Sequence, residues 1–211
     1  MDKTRIGIVG CGAISGIYCK NIGGTFTDVE VAACADLIEQ KAKDRAAEYG
    51  IPKVLSPEEL LSDPDIDIVL NLTIPAAHAD ICMAAVEHGK HTFVEKPLAV
   101  EREDGKRLVE AAASKNLRVG CAPDTFLGGG LQTCRDIVDS GEIGEVVAGV
   151  AFMAGHGHES WHPSPEFYYK KGGGPVFDMG PYYLTALVSL VGAVDRVSGS
   201  AKITFPERTI T

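Results

Sequence analysis

The sequence contains no run rich in lysine and arginine, and its 29 acidic residues outnumber its 20 basic ones, leaving a formal charge of -9. Affinity for nucleic acid comes mostly from neutralising phosphates, so this balance argues against such a partner and for a small molecule. A long apolar run is also missing. The longest, around Leu184 to Val194, is interrupted by Thr185, Ser189 and Gly192 and is too short to span a bilayer. No apolar segment with a cleavage site precedes the first strand pattern, which follows Met1-Asp2-Lys3-Thr4-Arg5 directly. Close cysteine pairs are absent: Cys11, Cys19, Cys34, Cys82, Cys121 and Cys134 lie scattered, unlike zinc knuckles or redox CxxC motifs. Reduced, buried thiols are the simplest reading. The expectation is a soluble, cytoplasmic protein with no membrane partner and no internal repeat.

What is present is ordinary globular composition, 45% hydrophobic and 23% charged, in 211 residues. That length suits a domain of usual size plus a smaller piece. Short β-branched runs alternate with amphipathic stretches through the first 120 or so residues, which predicts βαβ units and a parallel sheet. Strands are expected at Arg5 to Val9, Val29 to Ala35, Asp67 to Leu72, His91 to Val94 and Leu117 to Gly120. Ser56-Pro57-Glu58-Glu59 reads as a helix start, with Ser56 as N-cap and Glu59 closing a capping box. The fold class expected is α/β: a doubly wound Rossmann domain over residues 1–122, then part of an α+β open-sheet domain over 123–211. In the second part a helix is expected after Gly128-Gly129-Gly130, to about Ser140, and another from about Asp178 to Val191. Strand-like runs are read at Glu145 to Met153 and Val194 to Phe205. So few elements make a thin core, which suggests a fragment or a sheet completed by another chain.

Gly10-Cys11-Gly12-Ala13-Ile14-Ser15-Gly16 directly follows a strand and opens a helix. The first Gly permits a tight turn, the second lets a pyrophosphate approach the backbone, and the helix N-terminus offers free N–H groups to the anion. Ser15 replaces the third glycine, where close helix–strand packing matters most. A turn that binds nothing would carry similar glycines, but Asp36 strengthens the functional reading. It ends the second strand, where a carboxylate can accept hydrogen bonds from a ribose and repel a 2′-phosphate, so NAD is favoured over NADP. Asn71-Leu72-Thr73-Ile74-Pro75-Ala76-Ala77-His78 and Glu95-Lys96-Pro97 end the next two strands and point at the same cleft. A lysine beside an oxidised nicotinamide feels that ring's charge and partial desolvation, both of which ease exchange of a hydroxyl proton. The bland alternative for Lys96 is a surface lysine in a turn.

Gly10-Cys11-Gly12-Ala13-Ile14, Thr73-Ile74-Pro75 with His78, and Glu95-Lys96-Pro97-Leu98-Ala99 together resemble the glucose–fructose oxidoreductase, inositol dehydrogenase and rhizopine-catabolism (Gfo/Idh/MocA) family. Gly141-Glu142-Ile143-Gly144 and the run Gly172-Gly173-Gly174-Pro175-Val176-Phe177-Asp178-Met179-Gly180 extend the similarity across essentially the whole chain. The resemblance implies an NAD(P)-dependent oxidoreductase acting on a sugar, polyol or related hydroxy compound. It further implies a cofactor site at Gly10, Gly12, Ala13, Ile14, Asp36, Thr73, Pro75, His78, Glu95 and Lys96, and a cis Lys96–Pro97 bond. Its open C-terminal sheet implies a homo-oligomer if that sheet is complete. Lys96, Asp178 and Tyr182 take the catalytic positions, although the family's usual histidine is here Tyr182. An unperturbed tyrosine titrates near about 10 and needs a cationic neighbour to work near neutrality. Thr185 stands where many members have an acid.

Gly155-His156-Gly157-His158-Glu159-Ser160-Trp161-His162-Pro163 has spacing that could hold a metal, yet this chemistry needs none. Substrate contact by His156, His158, Trp161 and His162, with Tyr183 and Asp124, is the preferred reading, and plain loop packing remains open. The functional expectation is hydride transfer between nicotinamide C4 and a carbohydrate-like carbinol carbon of a sugar, polyol or related hydroxy compound. The alternatives are a non-catalytic dinucleotide sensor or an inactive fragment of such an enzyme.

Overall fold

The computed structural model describes residues 3–162 and 165–210, so the Met1-Asp2 start and Pro163 lie outside the described residues. The chain divides into two compact units, Met1–Ala122 and Pro123–Thr211.

In the first unit the β-branched runs become six parallel strands: β1 Thr4–Val9, β2 Val29–Ala35, β3 Lys53–Leu55, β4 Ile68–Asn71, β5 His91–Val94 and β6 Val119–Cys121. Their spatial order is β3-β2-β1-β4-β5-β6. This is the doubly wound arrangement, in which the chain leaves β1 on one side for β2 and returns on the other to β4, opening a crevice at the strands' carboxyl ends. The helices are α1 Ser15–Gly24, α2 Glu39–Tyr49, α3 Pro57–Ser62, α4 His78–Glu87 and α5 Arg102–Ser114.

Alternation along each strand sorts the core into layers. Ile6, Ile8, Cys34 and Leu70 meet Cys19 and Ile22 of α1 and Ala42 and Ala46 of α2. Val9, Ala33, Ala35 and Val69 face the opposite way, onto Leu60 and Leu61 of α3 and Ala85 of α4. Cys82 and Val86 of α4, Val94 of β5, and Leu108 and Ala112 of α5 close a third cluster. The capping box at α3 forms in full: Ser56 accepts from the Glu59 N–H while the Glu59 carboxylate accepts from the Ser56 N–H. Strand β3 is an addition to the sequence reading. At three residues it is too short to show a period, and its pairing with Ala33–Ala35 defines it.

The second unit holds α6 Gly129–Ser140, α7 Gly174–Asp178 and α8 Gly180–Val191, with a 3₁₀ turn over Pro165–Tyr169. The helix expected from Asp178 onward is two helices. Pro181 has no N–H to donate back to Phe177, so the chain re-nucleates at Gly180 instead of running on. The runs 145–153 and 194–205 correct the sequence reading more deeply, since neither is a strand in the structure. Their alternation is real, but a strand needs a hydrogen-bonded neighbour, and Val147 and Phe152 stand 91% and 84% exposed. Among the described residues, no helix is long and apolar enough to cross a membrane.

Candidate functional site

In the first unit the predicted residues converge on the carboxyl edge of the sheet. Gly10 leaves β1 with φ +99°, and a Cβ there would lie 2.7 Å from the carbonyl carbon and oxygen of Leu72. Only glycine fits, because both the conformation and the close approach of the next strand exclude a side chain. At Gly12 a Cβ would meet nothing within 4 Å, so this stretch of backbone faces open space. No side chain caps α1, and no acid sits in its first turn. Its N–H groups and dipole are therefore presented to an incoming anion. Ser15 is buried and donates to the Gly12 carbonyl at 2.7 Å, satisfying its hydroxyl in the tight third position of the motif.

Asp36 reaches this loop from the end of β2. Its Oδ2 accepts from the Cys11 N–H at 2.8 Å and its Oδ1 from the Ile38 N–H at 2.8 Å, and each oxygen keeps lone-pair capacity for a ribose hydroxyl. The Cys11 thiol donates to the Ala35 carbonyl, and the neighbouring Cys34 thiol, followed by burial, pushes Cys11 well above the ordinary thiol range. It therefore adds no negative charge where a pyrophosphate would lie. Burial likewise pushes Cys121 up to about 12.

Glu95, after β5, accepts from the Tyr18 hydroxyl of α1 at 2.7 Å and from the Lys96 N–H at 3.1 Å, which fixes the backbone carrying the lysine. The Lys96–Pro97 bond is cis. Pro75 starts a 3₁₀ turn, and Thr73 donates through its N–H and Oγ1 to Asn71 Oδ1. His78 departs from the expectation of a cofactor contact. It is 1% exposed, with Nδ1 2.6 Å from Pro97 O and Nε2 3.0 Å from Thr73 O, so it ties the two loops together.

Two residues at this edge escaped the sequence reading. Tyr18 is one. The other is Arg45 of α2, which donates to the Gly12 carbonyl at 3.2 Å and pairs with Glu48 at 2.7 Å. Gly16 leaves room for it, since a Cβ there would lie 3.1 Å from Arg45 Nη1. Neither belongs to a local motif; long side chains crossing from one helix to another element leave no spacing signal.

In the second unit His156, His158, Trp161, Tyr168, Tyr169, Asp178 and Arg208 line a cleft of about 600 Å³. His158 Nε2 lies 3.3 Å from Asp178 Oδ2, and its ring stacks on Tyr168 with centroids 3.8 Å apart. Glu159 accepts from the Tyr169 hydroxyl and from Arg208, and the Tyr169 contact above all holds its carboxyl down to about 2. The approach of a glycine backbone shapes this region, because a Cβ on Gly173 would lie 2.4 Å from the Phe167 carbonyl oxygen. His162 packs edge-on against Trp161 and Phe167. Tyr182 and Tyr183 sit in the first turn of α8, and Asp124 is exposed ahead of a short 3₁₀ turn, apart from the cleft-lining set. Among the described residues, no three His, Cys, Asp or Glu side chains assemble to hold a metal ion.

Comparison with known proteins matches both units. The model of the oxidoreductase family with an NAD-binding Rossmann fold matches residues 4–122, and the GFO/IDH/MocA C-terminal domain matches 131–210. An inositol 2-dehydrogenase of Salmonella paratyphi B is 33% identical over 144 residues, covering 67% of this chain and 43% of that protein. A scyllo-inositol 2-dehydrogenase (NAD(+)) of Bacillus subtilis is 28% identical over 203 residues, covering 95% of this chain and 58% of that one. The structure of a myo-inositol dehydrogenase from Lactobacillus casei, in complex with NAD(H) and myo-inositol, superposes with a TM-score of 0.64 at 27% identity, covering 68% of this chain and 43% of that chain. The chain thus spans about half the length of the curated relatives it matches. With its glycine loop, Asp36 and Glu95-Lys96-Pro97 turn all on the carboxyl edge of one doubly wound sheet, the chain belongs to the GFO/IDH/MocA oxidoreductase family.

Proposed function

We propose that the chain is the dinucleotide-binding and polyol-binding part of an NAD-dependent dehydrogenase acting on a cyclic polyol of the inositol class. The observation that carries this reading is the cradle in the first unit, where an uncapped helix start, open space over Gly12 and the Asp36 carboxylate adjoin one another. Those features fit a dinucleotide: N–H groups for the pyrophosphate, and a carboxylate for ribose hydroxyls that would repel a 2′-phosphate. When bound, NAD supplies the hydride acceptor. The backbone of Gly10, Gly12, Ala13 and Ile14 holds the phosphates, Thr73 and Pro75 border the cofactor, and Glu95 fixes the backbone of Lys96. The substrate hydroxyl's proton is assigned to Lys96 and Tyr182, with Asp178 orienting them, and polyol contact to the aromatic cleft of the second unit. The names of the relatives support the substrate class. Association with further copies through the second unit is part of the proposal, supported by its exposed Val147, Phe152 and Ile203. The unpaired state of all six cysteines supports a cytoplasmic setting.

The test is NADH formation by the full chain with myo-inositol, followed by absorbance. Lys96→Ala is expected to lose at least about a hundredfold in kcat while NAD binding, measured by calorimetry, is retained. Unchanged turnover contradicts the assignment.

A further inference from the structure

Arg45 grips the glycine loop from α2. The Gly12 carbonyl accepts from three donors at once: the Ser15 N–H at 3.2 Å, the Ser15 hydroxyl at 2.7 Å and Arg45 Nη2 at 3.2 Å. A carbonyl oxygen has two lone pairs, so this one is fully engaged and its direction is fixed. Across a planar trans peptide the C=O and the following N–H point opposite ways. Pinning the Gly12 oxygen towards Ser15 and Arg45 therefore turns the Ala13 N–H away from both. Among the described residues, that N–H donates to no protein acceptor. Asp36 fixes the preceding peptide from β2, accepting from the Cys11 N–H at 2.8 Å.

The guanidinium is placed at a cost. Its side chain is 16% exposed, and its Nε is buried with no hydrogen-bond partner among the described residues. A buried unpaired donor lowers stability, so the needs of the fold alone do not account for an arginine here. Its charge is no free cation on the loop either, since Glu48 lies 2.7 Å from Nη1 and offsets it. What this leaves Arg45 is the orientation of one peptide, at the start of a helix whose N–H groups nothing caps.

We infer that Arg45 is a positioning residue of the dinucleotide site, holding the Gly12–Ala13 peptide so that the Ala13 N–H meets a pyrophosphate oxygen. The inference rests on the dinucleotide reading above and deepens it by naming the side chain that shapes the phosphate subsite. Without the guanidinium, Ser15 alone holds the Gly12 oxygen, and the peptide gains freedom that a bound pyrophosphate must remove. The loss falls on the phosphates and spares the nucleoside, whose ribose meets Asp36 instead.

The experiment titrates NAD, ADP and adenosine into the full chain and into Arg45→Met and Arg45→Gln, by calorimetry for the first two and by NMR for the weaker nucleoside. Met keeps most of the stem's packing and donates nothing; Gln stays polar but is too short to reach the Gly12 carbonyl. In both, the Kd for NAD and for ADP should rise about tenfold or more, while that for adenosine stays within about twofold. The urea midpoint should not fall in either variant, because the unpaired Nε leaves with the guanidinium. A merely structural arginine would give the reverse: a lowered midpoint, with ADP and adenosine weakened alike. That pattern in both variants, or NAD affinity within about threefold of wild type in both, overturns the proposal. A wild-type chain that binds NAD while both variants bind it equally well removes only the Arg45 assignment. A wild-type chain that binds neither NAD nor ADP removes the dinucleotide reading, and the role of Arg45 with it.

Discussion

The two units of this chain use apolar residues in opposite ways. In the first, every strand has a partner, and Ile8, Leu60, Val69 and Leu108 are fully buried between sheet and helices. In the second, the helices α6, α7 and α8 bury no residue, and Val147, Val197 and Ile203 face outward. The order that the second unit does have is local and polar-aromatic, centred on His158, Tyr168, Glu159 and Arg208. The contrast teaches that a sheet edge makes a site only when the sheet beneath it is complete: the cofactor cradle rests on a core, whereas the cleft rests on ring stacking and ion pairs.

The sharpest way to break that contrast is at Gly10. Gly10→Val places a branched side chain at φ +99° against the Leu72 backbone, which cannot yield as a flexible side chain would. A loss on the order of 4 kcal/mol or more is expected, read as the urea midpoint of the first unit. Leu60→Ala comes next, with about 3 kcal/mol lost to a cavity between α3 and the sheet. Its counterpart Leu184→Ala, on the exposed side of α8, should stay within about 0.5 kcal/mol. Equal losses at Leu60 and Leu184 would dissolve the comparison.

The smallest effect is electrostatic. The Lys53 ammonium, 2.8 Å away, together with the Asp65 N–H, holds the Asp63 carboxyl below the usual carboxylate range. A depressed folded value contributes stability that is complete above the unfolded value, about 3.9, and is lost as pH falls through the folded one. Urea midpoints of the wild-type chain and Lys53→Met should therefore differ slightly at neutral pH and converge in acid. A constant difference down to the lowest pH assigns Lys53 a packing role instead.

The sequence was most legible where local chemistry and tertiary structure demand the same thing. Gly10 is required both by its turn and by the adjacent strand, and the Ser56 capping box is local by construction, so both could be read directly. Legibility failed where one element's state depends on another. Lys53–Leu55 became a strand because β2 was there to receive it, while 145–153 and 194–205 carry strand patterns without a ladder. His78 looked like a ligand residue because its neighbours belong to a cofactor motif, yet its burial makes it a brace. Arg45 reaches the Gly12 loop from α2 and Tyr18 reaches Glu95 from α1, and the pairing of His158 with Asp178 spans 20 residues, with no pattern that announces it.

The central claim is that the carboxyl edge of the first unit's sheet is a dinucleotide cradle, and a calorimetric titration of NAD and NADP into the full chain and Gly12→Val tests it most directly. Gly12 faces open space, so the variant should fold with an unchanged urea midpoint. The account predicts that the wild-type chain binds NAD more tightly than NADP and that Gly12→Val binds neither; NAD affinity unaltered by the valine, or a preference for NADP, would contradict it.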